Sequence, residues 1–233
     1  MTYSIIGILA TIILLIINRE LLWNREGRKF TQTQRSYCWF LLGILCYYVT
    51  DMSWGILESY RLTGILYADT FVHFIAMAAA VMLWIRYVVL YLGGKTAFGT
   101  FLTWAGSLFL AYQIVVVVLN LFWHIMFWFD ESGAYYTGTA RYVSLAVQIL
   151  LFVLTSVYTL WMTSKTEGAV KHRHLTVGLF GIAMALCTAI QVFYPLLPFY
   201  AMGYMLGTCF LHSFVLEDEK EEYRRAWPGY EPY

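Results

Sequence analysis

Seven apolar stretches fix what this chain can become. Each is close to the roughly 20 helical residues that a hydrocarbon core of about 30 Å demands. They run over about Tyr3–Leu22, Ser36–Tyr60, Gly64–Leu92, Phe98–Leu121, Ala140–Thr163, Leu175–Phe193 and Phe199–Val215. Turn signals separate most of them: Gly93-Gly94-Lys95, Glu131-Ser132-Gly133, Glu167-Gly168, and the stretch from Pro195 to Pro198. Only 12% of the 233 residues are charged, against roughly 25% in a soluble domain. The reading is an all-α, integral membrane seven-helix bundle, with residues 1–216 as one domain.

Lysine and arginine set the expected orientation. With the N-terminus outside, the inner side receives Arg19, Arg25, Arg28, Lys29, Arg35, Arg86, Lys95, Lys165, Lys171, Arg173, Lys220, Arg224 and Arg225. The outer side receives Arg61 and Arg141, a ratio of 13 to 2. The N-terminus is therefore expected outside and the C-terminus in the cytoplasm. The first stretch has no basic residues ahead of its apolar run and no small-residue cleavage site, so it reads as a retained span rather than a secretion signal. Arg86 reads as a side chain snorkelling to the inner interface, with a switch role as the alternative.

The stretch from Tyr47 to Tyr91 carries the chemistry. Asp51, Glu58, Asp69 and His73 stand where hydrocarbon is expected, and ionisable groups at that depth face inward and serve a purpose. Tyr47, Asp51, Trp54 and Glu58 step by four, three and four, which makes one stripe on a helix. Asp69 and His73 are i, i+4 on the next helix, so the two stripes are expected to meet across a short outer turn. Other segments bring polar groups to matching depths: Gln113 and Asn120; Arg141, Ser144 and Gln148; Gln191 and Tyr194; Tyr200 and Tyr204. Together they predict a polar, aromatic-lined cavity open to the outside. The expected ligand-binding set is Tyr47, Asp51, Trp54, Glu58, Asp69, His73, Gln113, Gln148, Gln191, Tyr194, Tyr200 and Tyr204. A structural role for each single residue competes with that reading.

Several classes fall away. One histidine among carboxylates is a weak metal set, and no cofactor is expected. No serine–histidine–acid motif stands out. Retinal would need a Schiff-base lysine, and no span contains a lysine. A net charge of +1 gives no reason to expect a nucleic-acid partner. Cys38, Cys46, Cys187 and Cys209 lie inside apolar stretches and read as small buried residues. No internal repeat of the kind common in carriers is visible, which disfavours a transporter.

Three features concern packing and motion. Ala76 and Ala80, Gly203 and Gly207, and Gly178, Gly181 and Ala185 mark faces where helices approach closely. All four prolines lie at 195, 198, 228 and 232, so movement is expected as tilts or shears of straight helices. The outer connection from Phe122 to Thr139 reads as an aromatic belt with a solvated turn, with a lid as the alternative.

Three runs carry a resemblance: YPLLPFYAMGYMLGTCFLHSFVLEDEKEEYRR, YYVTDMSWGILE and FWFDESGAYYTGTARY. Across residues 1–225 the chain resembles the N-terminal seven-helix region of bacterial membrane diguanylate cyclases, in which a GGDEF domain follows the last helix. Similar regions also precede histidine kinases. The resemblance implies a sensory input module of the bacterial inner (cell) membrane that controls cyclic-di-GMP synthesis. No GGDEF motif is present in this chain, so it is not itself expected to be an enzyme. Residues 217–225 read as the start of a cytoplasmic signalling helix and residues 226–233 as a truncation scar or added tail. The expected function is to bind an extracytoplasmic small ligand and relay a helix movement, as a homodimer joined through the C-terminal helix. The alternative is a small-solute transporter or channel.

Overall fold

The computed structural model describes residues 2–23, 31–94, 96–194 and 197–212. The expected signalling helix 217–225 and the tail 226–233 lie outside them, as do Arg25, Arg28, Lys29, Lys95 and Pro195. Among the described residues there are eight helices and one two-stranded sheet. In chain order they are α1 (Thr2–Ile17), α2 (Arg19–Leu22), α3 (Gln32–Ser59), α4 (Thr63–Tyr91), α5 (Ala97–Leu119), β1 (Phe127–Phe129), β2 (Tyr135–Thr137), α6 (Thr139–Thr163), α7 (Gly168–Phe193) and α8 (Phe199–Leu211). Five of them, α3 to α7, contain stretches long and apolar enough to cross a membrane. The apolar runs Ser4–Ile17 and Phe199–Leu211 are shorter. The chain is thus a multi-pass membrane protein with a helical body.

The helices start where local chemistry allows. Thr31 accepts from the Gln34 amide at 3.2 Å while its own amide donates to Gln34 Oε1 at 3.1 Å, a reciprocal cap that opens α3. Thr96 caps α5 through the Gly99 amide at 3.0 Å. The first apolar stretch was expected to run unbroken to Leu22, but it breaks at Asn18. There the Asn18 Nδ2 donates to the Leu14 carbonyl at 3.1 Å, and the backbone turns into the short α2. The sixth stretch was expected to begin at Leu175, and α7 begins at Gly168 instead. No breaker stands between Ala169 and His174, so the helix continues through Lys171, His172, Arg173 and His174 beyond its apolar part.

Successive helices pack as neighbours from α3 to α8, and α1 closes the ring by packing on both α3 and α8. Small residues set these contacts. A Cβ on Gly43 of α3 would come within 3.4 Å of the Ala80 backbone, and one on Gly207 would run into the Phe180 ring. Large apolar side chains such as Trp104, Leu108 and Ile16 point outward, as a lipid-facing surface requires.

The connection between α5 and α6 folds into a hairpin rather than a loose belt. Phe127 pairs with Thr137, Trp128 with Tyr136 and Phe129 with Tyr135. Trp128 stacks on Tyr136 at 5.6 Å and 9°. Asp130 Oδ1 closes the turn by accepting from the Ser132 amide at 2.9 Å, the Ser132 hydroxyl at 2.6 Å and the Ala134 amide at 2.9 Å. Met126 and Phe127 are fully buried. Trp123 and Phe122 remain exposed and keep the character of a belt.

Candidate functional site

Beneath this hairpin lies a cavity of about 60 Å³, walled by side chains from α3, α4, the hairpin, α6 and α7. Helix α3 contributes Asp51 and Trp54; α4 contributes Thr70, His73, Phe74 and Met77. The hairpin contributes Tyr135, α6 contributes Arg141 and Leu145, and α7 contributes Gln191.

Helix spacing explains the walls. Thr70, His73, Phe74 and Met77 recur at intervals of three, four and seven and so share one face of α4. Arg141 and Leu145 do the same on α6. The hairpin ends one residue before α6, which brings Tyr135 over the Arg141 side of the cavity. Burial pushes the Tyr135 phenol up to about 12, while the Arg141 charge pulls it the other way. Its hydroxyl therefore keeps its proton at physiological pH.

Hydrogen bonds hold the walls in place. Tyr47 donates to Asp51 Oδ1 at 3.3 Å, and Trp54 Nε1 donates to Thr70 Oγ1 at 3.1 Å. Thr50 Oγ1 and His73 Nδ1 lie 3.1 Å apart. Gln191 Oε1 accepts from the Tyr200 amide at 2.7 Å, satisfying a free N–H in the first turn of α8. Arg141 is 6% exposed, and its Nη1 has no hydrogen-bond partner among the described residues. A buried cationic donor in that state is costly unless something fills the place.

The expected site residues divide into five groups. Asp51, Trp54, His73 and Gln191 line the cavity. Tyr47, Gln148, Tyr200 and Tyr204 form a layer behind it: Tyr200 donates to Gln148 Oε1 at 2.8 Å and lies 3.2 Å from the Tyr204 hydroxyl, while Tyr47 packs on His73 and Tyr200 at 5.1 Å each. Gln113 is elsewhere, under the hairpin, with Nε2 at 3.3 Å from Met126 Sδ. Glu58 and Tyr194 are exposed and stand outside the cavity. Asp69 does not join His73 in the cavity. It lines a separate groove of about 470 Å³ between α3 and α4, whose other walls include Ile56, Leu57, Ile65 and Val72. No set of three or more His, Cys, Asp or Glu gathers as a metal site among the described residues.

Sequence reasoning grouped Arg141 with the polar residues at this depth but left it out of the expected binding set. It also missed Thr70, Phe74, Met77, Tyr135 and Leu145. Periodicity on α4 and α6 carried a signal for Arg141, Thr70 and Leu145. Nothing in the aromatic run of the connection singled out Tyr135.

Asn120 is the latch of this region. Its Oδ1 accepts from the Met126 and Phe127 amides at 2.7 and 3.2 Å, and its Nδ2 donates to the Phe127 carbonyl at 2.9 Å. Gly138 is required beside it, because a Cβ there would strike the Ile125 carbonyl.

Away from the hairpin the bundle is filled by rings. Tyr47 meets Tyr204 at 5.9 Å and Tyr204 meets Phe40 at 6.0 Å. Phe40 meets Trp84 at 5.3 Å, and Trp84 meets Phe180 at 4.2 Å and Tyr87 at 5.8 Å. Tyr87 stacks on Tyr91, and Tyr91 reaches the His174 ring at 5.4 Å. This column begins at the cavity floor and ends at the opposite end of α4 and α7. No known family model matches the chain, and no curated protein sequence does.

Proposed function

We propose that the chain is a sensory input module of a bacterial cell membrane, with seven spans, its N-terminus outside and its C-terminus in the cytoplasm. A small extracytoplasmic molecule occupies the cavity under the hairpin. Occupancy shifts α3, α4, α7 and α8 against one another, and the movement passes to a C-terminal helix and an output domain. The sequence resemblance makes a diguanylate cyclase the expected output, working as a homodimer.

One observation carries this reading: a charged, donor-bearing cavity at the hairpin end stops at a closed column of rings. A transport path would have to pass Tyr204, Phe40, Trp84 and Tyr87, which pack ring on ring from the cavity side toward the opposite end. A site at one end and a closely packed body leading to the other support a receptor reading. The ligand must bind one conformation more tightly than the other. Moving an equilibrium from 1:99 to 99:1 needs a differential of about 5.5 kcal/mol.

The test is solute flux set beside signalling. Reconstituted in liposomes, the chain is expected to show no uptake of small amino acids or carboxylates above protein-free vesicles. Joined to a cyclase domain in cells, it is expected to change cyclic-di-GMP when the same solutes are supplied outside. Uptake without a signalling response would reverse the assignment.

A further inference from the structure

Given a ligand site under the hairpin, its wall chemistry narrows what it takes. Arg141 supplies a planar guanidinium whose buried Nη1 has no partner among the described residues. That fork matches a carboxylate. Gln191 stands in the same wall with its Oε1 committed to the Tyr200 amide, so the group it has left to offer is its NH₂, a second donor.

Asp51 changes the inference from an anion to something more specific. It lines the same cavity and is buried. A simple anion on Arg141 would sit against the Asp51 carboxylate, and a simple cation beside Asp51 would sit against Arg141. In a small cavity of low dielectric either repulsion is large. A molecule carrying both charges presents each to its complement. The rings of Trp54 and Tyr135 meet at 5.8 Å and 85°, a corner with π faces suited to a positively charged nitrogen. Leu145 closes an apolar side, and a volume of about 60 Å³ admits no long side chain.

We propose that the cavity binds a small zwitterion, an α-amino acid with little or no side chain. Its carboxylate lies on Arg141 and Gln191 and its cationic nitrogen lies toward Asp51 between Trp54 and Tyr135.

The test uses the full chain in lipid nanodiscs, with binding followed by calorimetry and by thermal unfolding. The probes are glycine, glycine betaine, acetate and methylammonium at constant ionic strength. Glycine is expected to bind at least tenfold more tightly than acetate or methylammonium, while glycine betaine, whose three N-methyl groups exceed the cavity, is expected to bind no more tightly than they do. Arg141→Gln is expected to weaken zwitterion binding at least tenfold. Because that variant removes a buried charge, Leu145→Phe provides a second arm: it fills the cavity with an apolar ring, keeps the fold and abolishes the ligand-induced rise in Tm. Acetate binding as tightly as glycine, with sensitivity to Leu145→Phe, would overturn the zwitterion while leaving the cavity as the site. Zwitterion binding untouched by Leu145→Phe would place the ligand elsewhere and overturn both. Binding of none of the four probes overturns the zwitterion, and the cyclic-di-GMP response then judges the cavity separately.

Discussion

The two ends of the bundle solve opposite problems. At the hairpin end, polar and charged side chains surround a space: Asp51, His73, Arg141 and Gln191 face one another under Tyr135. At the far end, Phe40, Trp84, Tyr87 and Phe180 pack ring on ring, with Gly207 of α8 close against Phe180. The first region keeps unfilled hydrogen-bonding capacity in Arg141. The second pairs polar groups within the bundle, as when Thr155 both bonds to its own helix carbonyls and accepts from Trp84 Nε1, and leaves the Tyr37 hydroxyl without a hydrogen-bond partner among the described residues. On the proposed reading, the first region retains chemistry for a ligand at a cost in stability, and the second removes free volume. Substitutions in the two halves should therefore fail differently.

The largest effect is expected in the column. Trp84→Ala leaves a hole among Phe40, Tyr87 and Phe180 and should destabilise the protein by about 3–5 kcal/mol, read by steric trapping or thermal unfolding in nanodiscs. Zwitterion affinity should change little, because no cavity wall is touched. A variant that lost affinity without losing stability would erase the division between the halves.

Next comes the hairpin latch. Asn120→Ala strips the Met126 and Phe127 amides of their acceptor and should cost about 2–3 kcal/mol. Hydrogen exchange should rise at residues 126–129 and 135–137 while α7 stays protected. Exchange rising equally along α7 would show that the hairpin and the column are one cooperative unit.

A smaller effect is expected behind the cavity. Tyr200→Phe removes the hydroxyl that donates to Gln148 and contacts Tyr204 and should cost about 1–2 kcal/mol, since Gln148 Oε1 is left buried. The stability loss should be accompanied by weaker coupling between ligand and output, measured as a reduced maximal response.

The smallest concerns the hairpin turn. Hydrogen bonds from the Ser132 hydroxyl and the Ala134 amide hold the Asp130 carboxyl below its ordinary range. A depressed carboxylate stabilises the turn above the unfolded value of 3.8 and loses that contribution as pH falls through its folded value. Amide exchange at Ser132 and Ala134 should quicken only below about pH 4. Quickening at neutral pH would mean that another group controls the turn.

Much of this division was legible in the sequence and some was not. The helices followed from apolar length, and the stripe Tyr47-Asp51-Trp54 from its spacing. Glu58 on α3 and Asp69 on α4 lie outside the cavity for separate geometric reasons. Glu58 lies on the same stripe as Asp51 but one turn beyond Trp54, so it fails by height and emerges at the surface. Asp69 fails by angle. At about 100° per residue, His73, Met77, Thr70 and Phe74 fall at about 40°, 80°, 100° and 140° from it. The cavity face centres near the last three, and Asp69 is turned into the neighbouring groove. An i, i+4 pair shares a face only loosely, and a narrow cavity resolves the difference. The hairpin was hidden for another reason: an aromatic run at a membrane rim reads the same whether it floats as a belt or pairs as strands. Only Asn120, Gly138 and the Asp130 turn distinguish the two, and they act through contacts made after folding.

The most direct test is the cyclic-di-GMP response of three proteins, each joined to a cyclase domain and exposed to external glycine: the natural chain, Arg141→Gln and Asp69→Asn. The response should be lost in Arg141→Gln and retained within about threefold in Asp69→Asn, because Arg141 faces the cavity and Asp69 faces the groove. A full response in properly inserted Arg141→Gln, or its loss in Asp69→Asn alone, would contradict the assignment of the site beneath the hairpin.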